Sequence, residues 1–360
     1  MLDDRILKKE EKAVFALRSL YRQYGYLPYK MSKFEDYEYY IRNKDFLVSD
    51  RIITFNDTNG RLLALKPDVT LSIIKNGEDA PGCKQKVYYN ENVYRVSENT
   101  GQFKEIMQAG LECIGDIDTY DMFEVLKLAA KSLSLISEDF VLQVSYLGIL
   151  SKVLDSTCKD QAFQQQAMDY IAQKNAHDLS RLCAQYAVDD SLLTKLVAAY
   201  GQRSKVLSQL AEMGCDEPVL REISVLLDGT PWADRIVFDF SLVNNRRYYN
   251  GIVFRGFLSG ISESVLAGGQ YDKLMHKLER RCGAIGFALY LDLLEQLPME
   301  KSGYDVDVLL VYEGETEKSA VAGIVSQLTA EGKTVSAQKS IPQKLRYRQL
   351  LRLSKEGKLC

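Results

Sequence analysis

Apolar residues between positions 5 and 24 recur at helical spacing: Leu7, Val14, Leu17 and Tyr21 fall on one stripe, flanked by Ala13 and Leu20, and Gly25 supplies the stop. This predicts an amphipathic opening helix over 5–24. From about 45 to 116 the period shortens to that of strands, predicted over 46–48, 51–55, 62–65, 87–89, 93–96 and 105–114. Turn signals stand between them, among them Asp57-Thr58-Asn59-Gly60 and Glu98-Asn99-Thr100-Gly101. Closely spaced strands with short turns predict an antiparallel sheet.

Helical periodicity then takes over at 120–137 and across 146–228, with breaks near Asp189-Asp190, Gly201 and the stretch from Gly214 to Pro218. This block has the form of a helical insertion, about 146–230, between two halves of a sheet. Strands resume at 235–242 and 249–257, joined by a turn around Asn244-Asn245, and a strand over 264–268 leads into a helix from Tyr271. A strand over 283–288 runs into a helix ending near Leu297. Beyond Pro298 to Gly303 a strand (306–312), a helix (316–330), a strand (334–338) and a basic helix predict a small separate α/β module. The expected domains are therefore 1–300 and 304–360, in an α+β fold with the sheet flanked by helices.

Alternation within Ile106-Met107-Gln108-Ala109-Gly110-Leu111-Glu112-Cys113-Ile114 sends Met107, Ala109, Leu111 and Cys113 to one face and Gln108, Gly110 and Glu112 to the other. The apolar face should pack on helices, so the polar face meets water or a ligand, and Gly110 leaves room for something to lie across the strand. Asp68 and Thr70, in Pro67-Asp68-Val69-Thr70, suit the first turn of a helix, where capping alone would account for them. A third polar group is aromatic: Tyr248 and Tyr249 beside Asn250-Gly251, and Tyr271 after the paired glycines Gly268-Gly269. Tyrosine supplies a flat wall and a hydroxyl, although 22 tyrosines make any one of them a weak signal.

Composition narrows the function classes. The 360 residues, 46% apolar and 26% charged, suffice for more than one domain, and they contain no run of about 18 apolar residues to span a bilayer. The first residues lack the layout of a signal peptide, so the expected location is the cytoplasm. Seven scattered cysteines and two histidines, His177 and His276, form no cluster at metal-ligand spacing, and no metal is expected. A net charge of -3 argues against a broad nucleic-acid surface; the terminal basic cluster of Lys339, Lys344, Arg346, Arg348, Arg352, Lys355 and Lys358 fits a solvated helix face.

In this order the segments resemble the catalytic domain of class II aminoacyl-tRNA synthetases, specifically the histidyl enzymes, over most of residues 1–297. Gly25-Tyr26 with Phe34-Glu35 is similar to the family's dimer-forming first motif, with Ser32 in place of its proline. The run from Gly60 through Lys66-Pro67-Asp68-Val69-Thr70 is close to a histidine-system signature, and Tyr94-Arg95 through Gly115 tracks the second motif. Tyr248 to Phe254 followed by Gly268 to Asp272 resembles the histidine-specific stretch. The resemblance implies that Asp68, Thr70, Gln108, Glu112, Tyr248, Tyr249 and Tyr271 hold histidine, with Arg95 as an anion contact.

It also implies that the activating equipment is missing. Leu293 stands where the family's third motif has an arginine that grips ATP, Asn244 where an arginine promotes adenylation, and Ser97 and Gln102 where Glu and Arg are usual. Leucine cannot neutralise a phosphate, and each such loss costs on the order of 10²-fold in rate. Arg246 and Arg247 lie two or three residues from Asn244; a shift of two along a strand moves a group by about 6–7 Å, too far for the same grip. A synthetase-like chain with the pocket but without these arginines is similar to the regulatory subunits of ATP phosphoribosyltransferase. That resemblance implies a short-form catalytic partner chain, self-dimerisation, L-histidine as effector, no cofactor and no tRNA charging, the C-terminal module being a truncated anticodon-binding-like domain. The alternatives are a divergent histidyl-tRNA synthetase and a paralogue that senses uncharged tRNA.

Overall fold

The computed structural model describes residues 7–43, 52–77, 82, 84–96, 100–243, 249–297, 303–355 and 359. The opening helix α1 spans Lys9–Gln23, later than the apolar stripe alone predicts, because Glu11 accepts the Lys8 backbone N–H at 2.8 Å and sets the first turn there. It ends where expected: Gly25 takes φ +80°, which a side chain would resist. The next elements are β1 (Leu27–Pro28), β2 (Phe34–Asp36), α2 (Tyr37–Arg42), β3 (Thr54–Asn56), β4 (Leu62–Leu65) and α3 (Thr70–Asn76). Strands β2, β4 and β3 make a small sheet of their own, with the Asp57 to Gly60 turn closing the β3–β4 hairpin. The strand predicted over 46–48 lies outside the described residues.

The stretches predicted as separate strands over 87–89 and 93–96 form one strand, β5 (Gln85–Val96), because β6 (Phe103–Gly115) pairs with all twelve of its residues. A cross-strand partner at each position carries the ladder through polar Asn90, Glu91 and Asn92, where local pattern alone suggests a break. Helix α4 (Thr119–Ser134) and strand β7 (Phe140–Tyr146) follow. Between β7 and β9 (Ile236–Asp239) run α5 (Leu147–Thr157), α6 (Gln161–Ala172), α7 (Ala176–Gln185), α8 (Ser191–Ala198), β8 (Tyr200–Gln202), α9 (Arg203–Glu212) and α10 (Pro218–Asp228). Strands β10 (Ile252–Leu258) and β11 (Leu266–Gln270), helix α11 (Asp272–Lys277), β12 (Gly283–Tyr290) and a 3-10 helix (Leu291–Gln296) complete the first compact unit, residues 1–297.

Among the described residues, nine strands form its main sheet in the order β1-β5-β6-β12-β11-β10-β7-β9-β8. Pairing is antiparallel except at β1–β5 and β7–β9. The expected turn around Asn244-Asn245 lies outside the described residues, and β9 and β10 do not pair with each other. Strand β7 lies between them, parallel to β9 and antiparallel to β10, so its two hydrogen-bonding edges are satisfied by segments that arrive about 100 residues later. Sequence pattern missed β7 because it sits between two strongly helical stretches.

The apolar face behaves as alternation predicts: Ala109, Leu111 and Cys113 enter the large core with Leu17, Leu20 and Tyr21 of α1 and Val125, Leu128 and Ala129 of α4. The opposite face is not open to water. A second core, with Leu71, Ile73 and Ile74 of α3 and Leu274 and Met275 of α11, covers part of it and leaves a hollow over the middle strands.

The second compact unit, residues 298–360, has a parallel sheet β14-β13-β15 built from β13 (Val306–Tyr312), β14 (Val335–Gln338) and β15 (Tyr347–Leu353), with α12 (Lys318–Ala330) packed through Val321 on Leu310 and Leu353. Here the expected basic helix is overturned. Tyr347–Leu353 is a strand: Leu351 and Leu353 join the core with α12, while Arg348 and Arg352 alternate outward and stay exposed. A run of seven residues fits either period, and the free edge of β13 decides it. No helix among the described residues is long and apolar enough to cross a membrane.

Candidate functional site

The hollow is a cavity of about 110 Å³ lined by Asp68, Thr70, Tyr89, Arg95, Gln108, Glu112, Tyr249, Tyr271 and Tyr290 over a floor that includes Ala267, Gly286 and Ala288. Six of the sequence-predicted residues (Asp68, Thr70, Gln108, Glu112, Tyr249 and Tyr271) and Arg95 thus meet in one place, from α3 and its approach, β5, β6, the approach to β10, and the β11–α11 junction. Tyr248, Asn244, Arg246, Arg247 and Ser97 lie outside the described residues.

Glu112 is the hub. Thr70 donates its hydroxyl to Oε1 at 2.7 Å, and Tyr271 donates to Oε2 at 2.5 Å. Thr70 therefore directs its hydroxyl across to β6 rather than to the helix end. Asp68 serves the helix end, its Oδ1 accepting the Leu71 backbone N–H at 2.9 Å, and also lines the cavity. Arg95 donates from Nε to the Pro67 carbonyl at 3.0 Å, which places its charge beside Asp68.

Burial dominates the electrostatics. It pushes the Glu112 carboxyl up to about 8; the Tyr271 and Thr70 hydroxyls pull against this without overcoming it, and the Asp68 charge adds to the rise. Asp68 is raised by the same desolvation and drawn back by Arg95 and backbone N–H groups. The Tyr89 and Tyr249 hydroxyls are driven well above their ordinary range by desolvation, so they stay neutral donors. The pocket thus holds two carboxyls whose ionisation burial opposes, walled by neutral phenols.

Glycines shape the space differently from the expectation that Gly110 makes room for a ligand. A Cβ at Gly110 would stand 2.5 Å from the Tyr89 hydroxyl, so the vacancy is filled by the phenol of Tyr89, its partner on β5. At Gly269 a Cβ would meet the Tyr249 ring at 2.7 Å. Behind the pocket, Asp272 Oδ2 accepts from Gln270 at 2.7 Å and Asn250 at 3.2 Å, and Oδ1 accepts the Ala284 N–H at 3.0 Å. This clamp fixes the start of α11 and with it Tyr271.

Sequence reasoning did not single out Tyr89, Tyr290 or the clamp function of Asp272. Tyr89 could have been found by pairing the strand pattern across to Gly110; nothing local marks Tyr290. Leu293, by contrast, lies in the 3-10 helix after β12 and packs its side chain against the large core.

A mixed sheet with a polar pocket on one face and an acid hub under tyrosines defines the architecture, and comparison with known proteins specifies the family. The sequence pattern of the histidyl-tRNA synthetase family matches residues 2–294, and the chain belongs to that family. Among characterised relatives it is similar to an ATP phosphoribosyltransferase regulatory subunit from Oceanobacillus iheyensis, 28% identical over 298 residues that cover 79% of this chain and 73% of that one. A protein of the same name from Ruminiclostridium cellulolyticum is 25% identical over 344 residues, 89% of this chain and 80% of that one. Among solved structures, an ATP phosphoribosyltransferase regulatory subunit/histidyl-tRNA synthetase from Bacillus halodurans superposes with TM-score 0.76 at 20% identity, covering 96% of this chain and 94% of that one. A chain of the ATP phosphoribosyl transferase (HisG:HisZ) complex from Thermotoga maritima gives TM-score 0.62 at 20% identity, over 78% and 96%. The likeness to these structures establishes the α+β, class II synthetase-like fold.

Proposed function

We propose that this chain is a non-catalytic regulatory subunit required for ATP phosphoribosyltransferase activity at the first step of L-histidine biosynthesis, with L-histidine held in the Glu112 pocket as feedback effector. The observation that carries the reading is the Thr70–Glu112–Tyr271 cluster: an intact, enclosed acid site in a chain whose third-motif position is Leu293. Asp68 and Glu112 suit an α-ammonium and an imidazole N–H, Gln108 adds a further hydrogen-bonding group, and Tyr249 and Tyr271 wall the ring. The names of the relatives support the regulatory role.

The partner in this reading is the short-form catalytic chain. The chain pairs with itself through the first-motif face, where Leu27 and Phe34 are exposed at 68% and 52%. Histidine then regulates only by binding one state of the assembly better than another, since equal affinity for both shifts nothing. The C-terminal basic residues support exclusion of tRNA: Arg346 pairs with Asp305 at 2.7 Å and Lys355 with Glu315 at 2.8 Å, which takes charge away from any phosphate.

The test is reconstitution with a short-form phosphoribosyltransferase. We expect co-purification, catalysis that needs this chain, and inhibition by histidine that is lost in Glu112→Ala. Histidine-dependent pyrophosphate exchange by the purified chain alone would instead establish a synthetase.

A further inference from the structure

Strand register places one more cation on the pocket face. Arg255 of β10 pairs with Ala267 of β11, Ala267 with Ala288 of β12, Ala288 with Gly110 of β6, and Gly110 with Tyr89 of β5. Directly paired residues of antiparallel strands point to the same face. Ala267, Ala288 and Tyr89 line the cavity, so Arg255 stands on its side of the sheet. The neighbouring Gly256 points the other way, where an added Cβ would meet Leu133 of α4 at 2.6 Å. The row thus runs from the Tyr89 phenol, which fills the space over Gly110, across the small side chains of Ala288 and Ala267 to Arg255.

Arg255 is half-buried and has no hydrogen bond or ion pair among the described residues, yet its charge is felt at the Tyr249 hydroxyl in the pocket wall. A half-desolvated arginine without an acidic partner is poised for an anion. Arg95, the other cation at the site, is already engaged by the Pro67 carbonyl and lies beside Asp68. Glu112 and Arg255 are separated by three strand steps and two residues of register, which puts their Cα atoms about 16 Å apart. The imidazole N–H and the carboxylate of one histidine lie about 6 Å apart, so with a hydrogen bond of about 3 Å at each end the ligand joins groups about 12 Å apart, a span that the Glu112 and Arg255 side chains are long enough to meet across this separation.

We propose that Arg255 holds the α-carboxylate of the ligand whose imidazole N–H sits on Glu112, and so sets the preference for a free amino acid over its carboxylate-free analogues. This rests on the histidine-pocket reading above and deepens it.

The experiment is calorimetric titration of the full chain with L-histidine and with histidinol, which keeps the ammonium and imidazole but has an alcohol for the carboxylate. Wild type should prefer histidine by at least about tenfold. Arg255→Gln should lose about 10- to 100-fold for histidine and under threefold for histidinol, and Arg255→Lys should recover part of the preference; melting curves check that each variant is folded. Equal losses for both ligands, or an unchanged preference in both variants, would overturn the assignment of Arg255 alone. Collapse of the preference in Arg95→Gln but not in the Arg255 variants would transfer the role to Arg95. Failure of wild type to bind either ligand would overturn the histidine reading and the Arg255 assignment with it.

Discussion

The carboxyl of Glu112 occupies the space where a side chain on Gly286 would be: a Cβ built there falls inside the closest approach allowed to Oε2. The two residues face each other across the β6–β12 pairing, so one strand's missing side chain makes the pocket's acid possible. We expect Gly286→Ala to abolish histidine binding and to destabilise the first unit by about 1–3 kcal/mol, as overpacking does. Urea unfolding and calorimetry on the same variant measure both effects; a variant that binds normally would show that Glu112 is free to move.

Burial raises the Glu112 carboxyl to about 8, so the folded chain keeps a proton that the unfolded chain releases near the ordinary carboxyl range. Between roughly pH 4.5 and 8 the folded state then holds more protons than the unfolded, and stability falls as pH rises through that window. Asp68, Arg95, Tyr89, Tyr249 and Tyr271 face the same cavity and are common to wild type and variant. Glu112→Gln cannot titrate, so its stability relative to wild type should improve by about 3 kcal/mol between pH 5 and pH 8. Unfolding midpoints across that range decide it.

An imidazole N–H donated to Glu112 favours its ionised form, so histidine uptake at pH 7 should release a proton. Titration in buffers of different ionisation enthalpy will show it as a buffer-dependent heat, and Glu112→Gln should lose it. Heats independent of buffer would mean that Glu112 is already ionised.

Tyr271→Phe deletes one of the two hydroxyls that donate to Glu112 while leaving the ring, the Asp272 clamp and the core contacts in place. Histidine affinity should drop about tenfold, the cost of one charged hydrogen bond, with the melting temperature little changed. Glu112→Ala should lose more. Unchanged affinity in both would move the effector site elsewhere.

Because residues 347–353 form a strand of the second sheet, deleting the C-terminal basic segment would remove a structural element along with its charge. Charge reversal is the cleaner probe: Arg348 and Arg352 are exposed, and Arg348→Glu/Arg352→Glu should leave the fold intact. We expect wild type and variant to show the same weak tRNA retention at low salt, about 50 mM. Binding that falls steeply with salt in wild type and vanishes in the variant would favour a tRNA sensor.

Much of the site was legible because its residues obey short-range rules. Alternation separated Gln108 and Glu112 from Leu111 and Cys113, and the placement of Asp68 and Thr70 at the start of a helix followed from turn chemistry. What escaped depends on partners distant in the chain. Strand β7 is recognisable only once β9 and β10 flank it, and Tyr89 joins the pocket because Gly110 lies opposite. The strand at 347–353 was misread because Arg-Gln-Leu-Leu-Arg-Leu satisfies two periods, and only the edge of β13 chooses between them.

The position of β7 also governs when this protein can acquire its shape. Its neighbours on both sides, β9 and β10, are made after the helices from α5 to α10, and the strand that carries Gly286 comes later still. At about 5–20 residues per second, a growing chain holds β7 with neither edge paired for several seconds. Such an unpaired edge invites wrong partners, so the insertion helices, which fold from local contacts, are well placed to shield it meanwhile. The pocket, drawing on residues from Asp68 to Tyr290, is among the last features of the first unit to form, so its lining is complete only when nearly the whole unit has been made.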